Sequence, residues 1–240
     1  MGMPITVEVA AGTEAAQLRQ IKRVFEHFRR VDNVFSTFRP DSAISRVNRS
    51  ELVMADAPDE VQAVLAACER MSSDTDGYFN AYHDGVLDPS GYVKGWAIAG
   101  ATTMLDEAGV ARYLVEAGGD IQAKSPAAMN QPWRVGIRNP FHPDQVVKIL
   151  QFHDGAVATS GSYVRGQHIY NPHTGEPASQ LASMTVVGPD IIQADVYATA
   201  AYAMGRKGAE WVARKGLDAY QIDKEGQASF SDRIRAMSVQ

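Results

Sequence analysis

Asp195 and Thr199, in the run Ala194-Asp195-Val196-Tyr197-Ala198-Thr199, form the pair in this sequence with the plainest chemical use. Residues four apart lie on one face of a helix. A carboxylate and a hydroxyl oxygen are hard ligands suited to Mg²⁺. Two side chains cannot complete an octahedral ion, so phosphate oxygens, a backbone carbonyl or water must supply the rest. That incompleteness suits a metal bound together with a nucleotide. Spacing alone does not require it: a helix-start aspartate followed by a helical threonine is the commoner origin of such a pair.

Three further segments could meet a ligand. Glu116-Ala117-Gly118-Gly119-Asp120 follows a strand, and paired glycines there let backbone approach a ligand closely. The third glycine and following helix of a dinucleotide fingerprint are missing, and a plain turn with Asp120 in a polar role fits as well. Asp88-Pro89-Ser90-Gly91-Tyr92-Val93-Lys94 feeds a helix, whose N-terminus attracts anions, and Lys94 could neutralise phosphate charge. Thr159-Ser160-Gly161-Ser162 precedes Gln167-His168-Ile169-Tyr170-Asn171-Pro172. His168, expected in a strand before the Asn-Pro turn, could move a proton, although a lone histidine is more often structural. Only His168 and His173 share this turn and no cysteine is near, so zinc is not expected. There is no Gly-x-Ser-x-Gly elbow.

These residues need elements to position them. Residues 4–10 read as a strand. Residues 13–35 read as a long amphipathic helix, with Leu18, Ile21, Val24, Phe25, Phe28, Val31 and Phe35 on one stripe and Thr13 as N-cap. Pro40 breaks it. Helices follow at about 43–47, 58–72 and 94–107, the last after a turn-rich stretch at 74–93 and stopping at Gly109. Strands are expected at 112–117, 133–138, 146–152, 155–159, 165–170 and 183–188. Helices at 191–204 and 207–215, then short strands near 218–223 and 227–230, close the sequence. Helices come first and strands later, which predicts an α+β fold rather than β-α-β winding. With no internal repeat or long linker, residues 1–240 read as a single domain.

Composition narrows the function classes. The 240 residues are 45% hydrophobic and 21% charged, enough for a substantial core. The net charge of −5 argues against a nucleic-acid partner. Arg19, Lys22, Arg23, Arg29 and Arg30 sit at helical spacing and read as a solvated face. Cys68, the one cysteine, lies in an apolar run and reads as a buried small hydrophobe. No apolar run approaches the ~20 residues of a membrane span, and no charged leader with an apolar core opens the sequence. The expectation is a cytoplasmic protein without membrane insertion, monomeric or homodimeric.

Taken in order, the motifs resemble those of the FAD:protein FMN transferases, the ApbE-like family. The matching pieces begin with Met1-Gly2-Met3, Ser36-Thr37-Phe38 and the stretch from Ser42 to Asn48. Thr75-Asp76-Gly77-Tyr78-Phe79-Asn80, Asp88 through Gly95 and Tyr113 through Ile121 follow. Trp133-Arg134-Val135-Gly136-Ile137, Ala158-Thr159-Ser160-Gly161, His168 through Pro177 and Thr185 through Thr199 complete the series. They run over nearly the whole chain.

The resemblance implies an α+β fold with a helix-rich first half and a strand-rich second half around a central FAD groove. It places Mg²⁺ on Asp195, Thr199 and the Val93 carbonyl, and the isoalloxazine between Met1 and Phe38. It assigns Asp88, Val93, Lys94, Glu116, Gly118, Gly119, Asp120, Thr159, Ser160 and His168 to FAD. His168 and Asp195 are the implied catalytic residues. The implied reaction attaches FMN through a phosphoester to a threonine or serine of an acceptor flavoprotein and releases AMP. The sequence departs from the family pattern at Asn171 and Asn80, where aspartate is usual, and at Phe38, where tyrosine is common. The stretch between Asn80 and Asp88 is shorter than in many members. Two other readings stay open: a Mg²⁺-dependent FAD pyrophosphatase, if water replaces the acceptor, and a non-enzymatic FAD-binding protein.

Overall fold

Backbone pairing builds the molecule around one antiparallel sheet. The structure, a computed structural model, describes residues 2–10, 12–162 and 169–239. Its first half runs β1 (Ile5–Ala10), α1 (Glu14–Phe35), α2 (Ala43–Asn48), α3 (Asp59–Asp74), β2 (Tyr82–His83), β3 (Val86–Leu87) and α4 (Ser90–Glu107). The second half runs β4 (Arg112–Ala117), β5 (Asp120–Lys124), β6 (Trp133–Arg138), β7 (Val146–Phe152), β8 (Gly155–Gly161), β9 (Leu181–Gly188), α5 (Ile191–Met204), α6 (Gly208–Arg214), β10 (Asp218–Asp223), β11 (Ala228–Phe230), α7 (Asp232–Met237) and β12 (Ser238–Val239). Among the described residues the main sheet has the order β1-β4-β5-β8-β9-β10-β11, and a smaller sheet has the order β12-β7-β6.

The fold is α+β, in three layers. Strand side chains alternate between the two faces of a sheet. Ala156 and Ala158 of β8, with Met184 and Val186 of β9, enter the large core shared with α1, α4 and α5. Val157 and Val187 point the other way, onto Val135, Ile137 and Leu150 of the smaller sheet. Ser160 therefore faces the helices and Thr159 the opposite side. Helix α5 is buried almost all round, as an apolar helix in mid-core should be. Helix α1 is amphipathic: it buries Val24, Phe28, Val31 and Phe35, and the Thr13 side chain caps its N-terminus by accepting from the Ala16 N–H. Arg19, Lys22, Arg23, Arg29 and Arg30 are exposed along it. Cys68 is buried.

Some elements differ from expectation. Helix α4 begins at Ser90 rather than at Lys94, because Asp88 accepts from the Ser90 N–H at 2.9 Å and the Pro89 carbonyl accepts from the Tyr92 and Val93 N–H groups, each at 2.9 Å. Strand β5 carries little apolar signal and is held by its neighbours, β4 and β8. The turn-rich stretch folds a small hairpin, β2–β3. Of the strand expected at 165–170, residues 165–168 lie outside the described residues, and Tyr170 makes only an isolated bridge to Pro177. Helix α7 and strand β12 after Phe230 carried no clear period. No helix among the described residues is long and apolar enough to cross a membrane.

Candidate active site

The site forms where the start of α4, the β4–β5 turn, the end of β8 and the first turns of α5 converge. Gly118 and Gly119 have φ of +61° and +95°, the left-handed pair that a two-residue hairpin turn requires. This turn sets Ala117 opposite Asp120 and sends the Asp120 side chain inward, where it is 1% exposed. The Glu116 side chain ties the turn by accepting from the Gly119 N–H at 2.8 Å. Asp120 Oδ1 accepts from the Thr159 N–H at 2.9 Å, joining β5 to β8 beyond their paired residues.

Asp195 enters from α5 and is 2% exposed. Its Oδ2 accepts from the Gly95 N–H at 2.9 Å. That bond needs α4 and α5 to touch. A Cβ on Gly95 would stand 3.0 Å from the Ile191 carbonyl oxygen and 3.2 Å from the Asp195 Cβ, so a glycine at 95 is what permits the approach. The Lys94 ammonium lies between the two carboxylates, 2.5 Å from Asp120 Oδ2 and 3.3 Å from Asp195 Oδ1. Asp120 Oδ2 has no other hydrogen-bond partner, so its charge is balanced by Lys94 alone.

The electrostatics follow from this crowding. Burial works to lower the Lys94 pKa, but Asp120 and then Asp195 outweigh it and hold the ammonium above the ordinary lysine value. Burial raises the Asp195 carboxyl well above its ordinary value, with Lys94 pulling it back and the Asp120 charge pushing it further up. Two buried carboxylates on one ammonium leave a local excess of negative charge, which suits a further cation.

Thr199, one turn along α5 from Asp195, has its hydroxyl 3.2 Å from that of Ser160. Thr159 pairs with Thr185 at 2.8 Å on the opposite face of the sheet. The structure thus brings Lys94, Asp120 and Asp195 together, with the Ser160–Thr199 pair one turn along α5 and Val93 next to Lys94 in α4. Oxygen donors available to a hard cation are Asp195 Oδ1, the Thr199 hydroxyl and the Val93 carbonyl, whose oxygen has two lone pairs. Among the described residues no group of three or more His, Cys, Asp or Glu could hold a metal ion. The oxygen set therefore fits an ion that brings further ligands with it.

Other candidate residues lie around this centre. Asp88 is exposed at the entry to α4. Phe38 is 96% exposed, displayed on the turn after α1. Ser42 braces that turn, donating to the Ser36 carbonyl at 2.6 Å and capping α2 through the Ser45 N–H. Met1 and His168 lie outside the described residues. Tyr170, just beyond them, stacks on His83 at 3.8 Å, and His173 meets Tyr78 edge-on at 4.4 Å. Two open concavities, of about 370 and 270 Å³, lie elsewhere: beside Arg23, His27 and Arg30, and beside Asp106, Tyr113 and Asp154. Neither is lined by the residues of the carboxylate cluster. Chemistry, not cavity size, marks the site.

Two supporting residues escape a reading by residue type. Gly95 serves Asp195 through its backbone N–H, and its only sequence signal is a glycine inside a helical stretch. Asn48 clamps the hairpin by exchanging two 2.9 Å bonds with the Leu87 backbone, and nothing local predicts that partner.

The sequence profile of the ApbE family matches residues 1–86 and 82–221. The chain is 34% identical over 152 residues to the FAD:protein FMN transferase of Salmonella typhimurium, covering 59% of this chain and 43% of that protein. It thus spans about half the length of the curated relatives it matches. Among solved structures, the flavinyl transferase ApbE of Pseudomonas stutzeri in its apo form superposes with a TM-score of 0.80 at 26% identity, covering 97% of this chain and 92% of that one. The ApbE protein of Thermotoga maritima superposes with a TM-score of 0.84 at 20% identity, covering 99% and 100%, and supports the fold.

Proposed function

This chain belongs to the ApbE family, and from that premise we propose that it transfers the FMN half of FAD, with Mg²⁺, to a threonine or serine hydroxyl of an acceptor flavoprotein. One observation carries the reading: Asp195 is buried with one oxygen fixed by the Gly95 N–H and the other turned to a cation, beside the Ser160–Thr199 hydroxyl pair. A carboxylate held this way is poor core material and good cation-binding material.

In the reaction, the acceptor oxygen attacks the FMN-side phosphorus. A phosphorus–oxygen bond to it forms, the bond to the bridging oxygen breaks, and AMP leaves with that oxygen. The hydroxyl proton passes to a base, a role proposed for His168. Asp195, Thr199 and the Val93 carbonyl would hold Mg²⁺, which when bound neutralises charge on the pyrophosphate. Lys94 adds positive charge at the same place. Gly119 leaves the tip of the β4–β5 turn open, so its backbone can approach the phosphates, while Met3 packs against Gly118. Asp88 keeps the entry to α4 folded, and Glu116 does the same for the glycine turn. Phe38, nearly bare of protein contacts, offers a face for the isoalloxazine, with Met1 proposed on the other side. Ser160 borders the flavin nucleotide on β8, while Thr159, whose side chain lies on the other face with Thr185, acts there through its backbone N–H on Asp120.

The test is incubation with FAD and Mg²⁺, with and without EDTA, following AMP by chromatography and the acceptor by mass. Metal-dependent AMP with an FMN mass gain on a threonine-bearing acceptor supports the transferase. AMP and free FMN without acceptor assign a pyrophosphatase instead. FAD binding with no AMP under any condition leaves a flavin-binding protein.

A further inference from the structure

We infer that Lys94 is a built-in counter-ion that occupies the metal-facing oxygen of Asp195 and must release it before a divalent cation can bind. The inference rests on the proposed Mg²⁺ site at Asp195. Of the two Asp195 oxygens, Oδ2 already accepts from the Gly95 N–H, so Oδ1, which no backbone donor holds, is the oxygen better placed to ligate. That oxygen is the one 3.3 Å from the Lys94 ammonium. A cation on Oδ1 would meet a positive charge at contact distance, so the two compete for one oxygen.

Asp120 gives the ammonium somewhere to go. It already holds Lys94 at the shorter distance of 2.5 Å, and Asp120 Oδ2 has no other partner. The released Lys94 stays on Asp120, close enough to meet the phosphate oxygens that accompany the metal. Asp120, fixed by the Thr159 N–H, is therefore a positioning residue that acts through Lys94. The arrangement partly offsets the charge of the buried carboxylates without metal, so folding does not wait for it. It also withholds the full site from a bare cation and favours one that arrives with anionic ligands to draw Lys94 away.

The test measures Mn²⁺ binding by the electron paramagnetic resonance of the free ion, without flavin and then with FAD. Two variants are compared with the wild type. Lys94→Met removes the competing charge. The double variant Lys94→Met, Asp120→Asn removes the ion pair as a unit, which keeps the net charge of the cluster unchanged and avoids an unpaired second carboxylate. Without flavin, Lys94→Met is expected to bind Mn²⁺ at least tenfold more tightly than wild type, and the double variant at least threefold more tightly. Melting of Lys94→Met in EDTA should fall below wild type and recover with Mn²⁺. Equal or weaker Mn²⁺ binding by the double variant, with tighter binding by the single one, would reduce Lys94 to a contributor of net charge and overturn the inference. So would equal or weaker binding by both. If wild type binds no Mn²⁺ even with FAD, it is the proposed metal site that fails.

Discussion

Replacing Asp195 by asparagine should stabilise the metal-free protein while abolishing its response to metal. Asparagine keeps an oxygen that can accept from the Gly95 N–H, so no backbone donor is stranded. It removes one of two carboxylates that share a single ammonium. With an effective dielectric of about 20, Lys94 attracts Asp195 by about 5 kcal/mol at their separation, and the neighbouring Asp120 carboxylate takes back part of that. Burying a carboxylate costs several kcal/mol, more than what is left. The charge on Asp195 is therefore a net cost of about 1–3 kcal/mol, and Lys94 is left well paired with Asp120 after the change. A chain of this size gains roughly 2–4 °C in Tm per kcal/mol, so the variant should melt about 2–12 °C above wild type in EDTA. With Mg²⁺ and FAD at about a hundred times the dissociation constant, wild type alone gains about 2.7 kcal/mol, which offsets most or all of the variant's advantage and closes or reverses the gap between the two curves. Circular dichroism melts in both conditions decide it. A variant that melts more than about 2 °C below wild type in EDTA would refute the claim that the second carboxylate is kept for binding rather than for the fold.

Phe38→Ala should leave stability within about 0.5 kcal/mol, because the ring is 96% exposed, yet weaken FAD binding by about 2- to 12-fold, seen by flavin fluorescence titration. Gly95→Ala should cost about 1–3 kcal/mol in denaturant unfolding, since its Cβ would press on the Ile191 carbonyl, and should lower metal affinity by pushing α5 and its Asp195 away. Cys68 is 3% exposed, and burial pushes its thiol up to about 12, so a thiol reagent at pH 8 should modify it only on unfolding. Stoichiometric labelling of the folded protein would contradict the burial of Cys68 in α3.

Much was legible in the residues themselves because the signals were local. The helical period from Val24 to Phe35 (Leu18, expected on the same stripe, is exposed), the Thr13 cap, the break at Pro40 and the Asp195–Thr199 spacing depend on chain geometry within a few residues. The ordered series of motifs was legible too, and it led to the family and to every residue of the buried cluster by number. What the sequence left open was how those residues meet. By residue type Lys94 faces phosphate and Asp120 is polar in a turn, and the resemblance assigns both to FAD. Their pairing with each other and with Asp195, 100 positions beyond Gly95, depends on sheet register and on the contact of α4 with α5. Strand β5 shows the same division: its residues carry little strand signal, and hydrogen bonds from β4 and β8 make it a strand. Short-range sterics act along the chain and leave a pattern in the order of residue types. Charge pairing and burial act through space, and only the tertiary fold determines which distant carboxylates must share one ammonium.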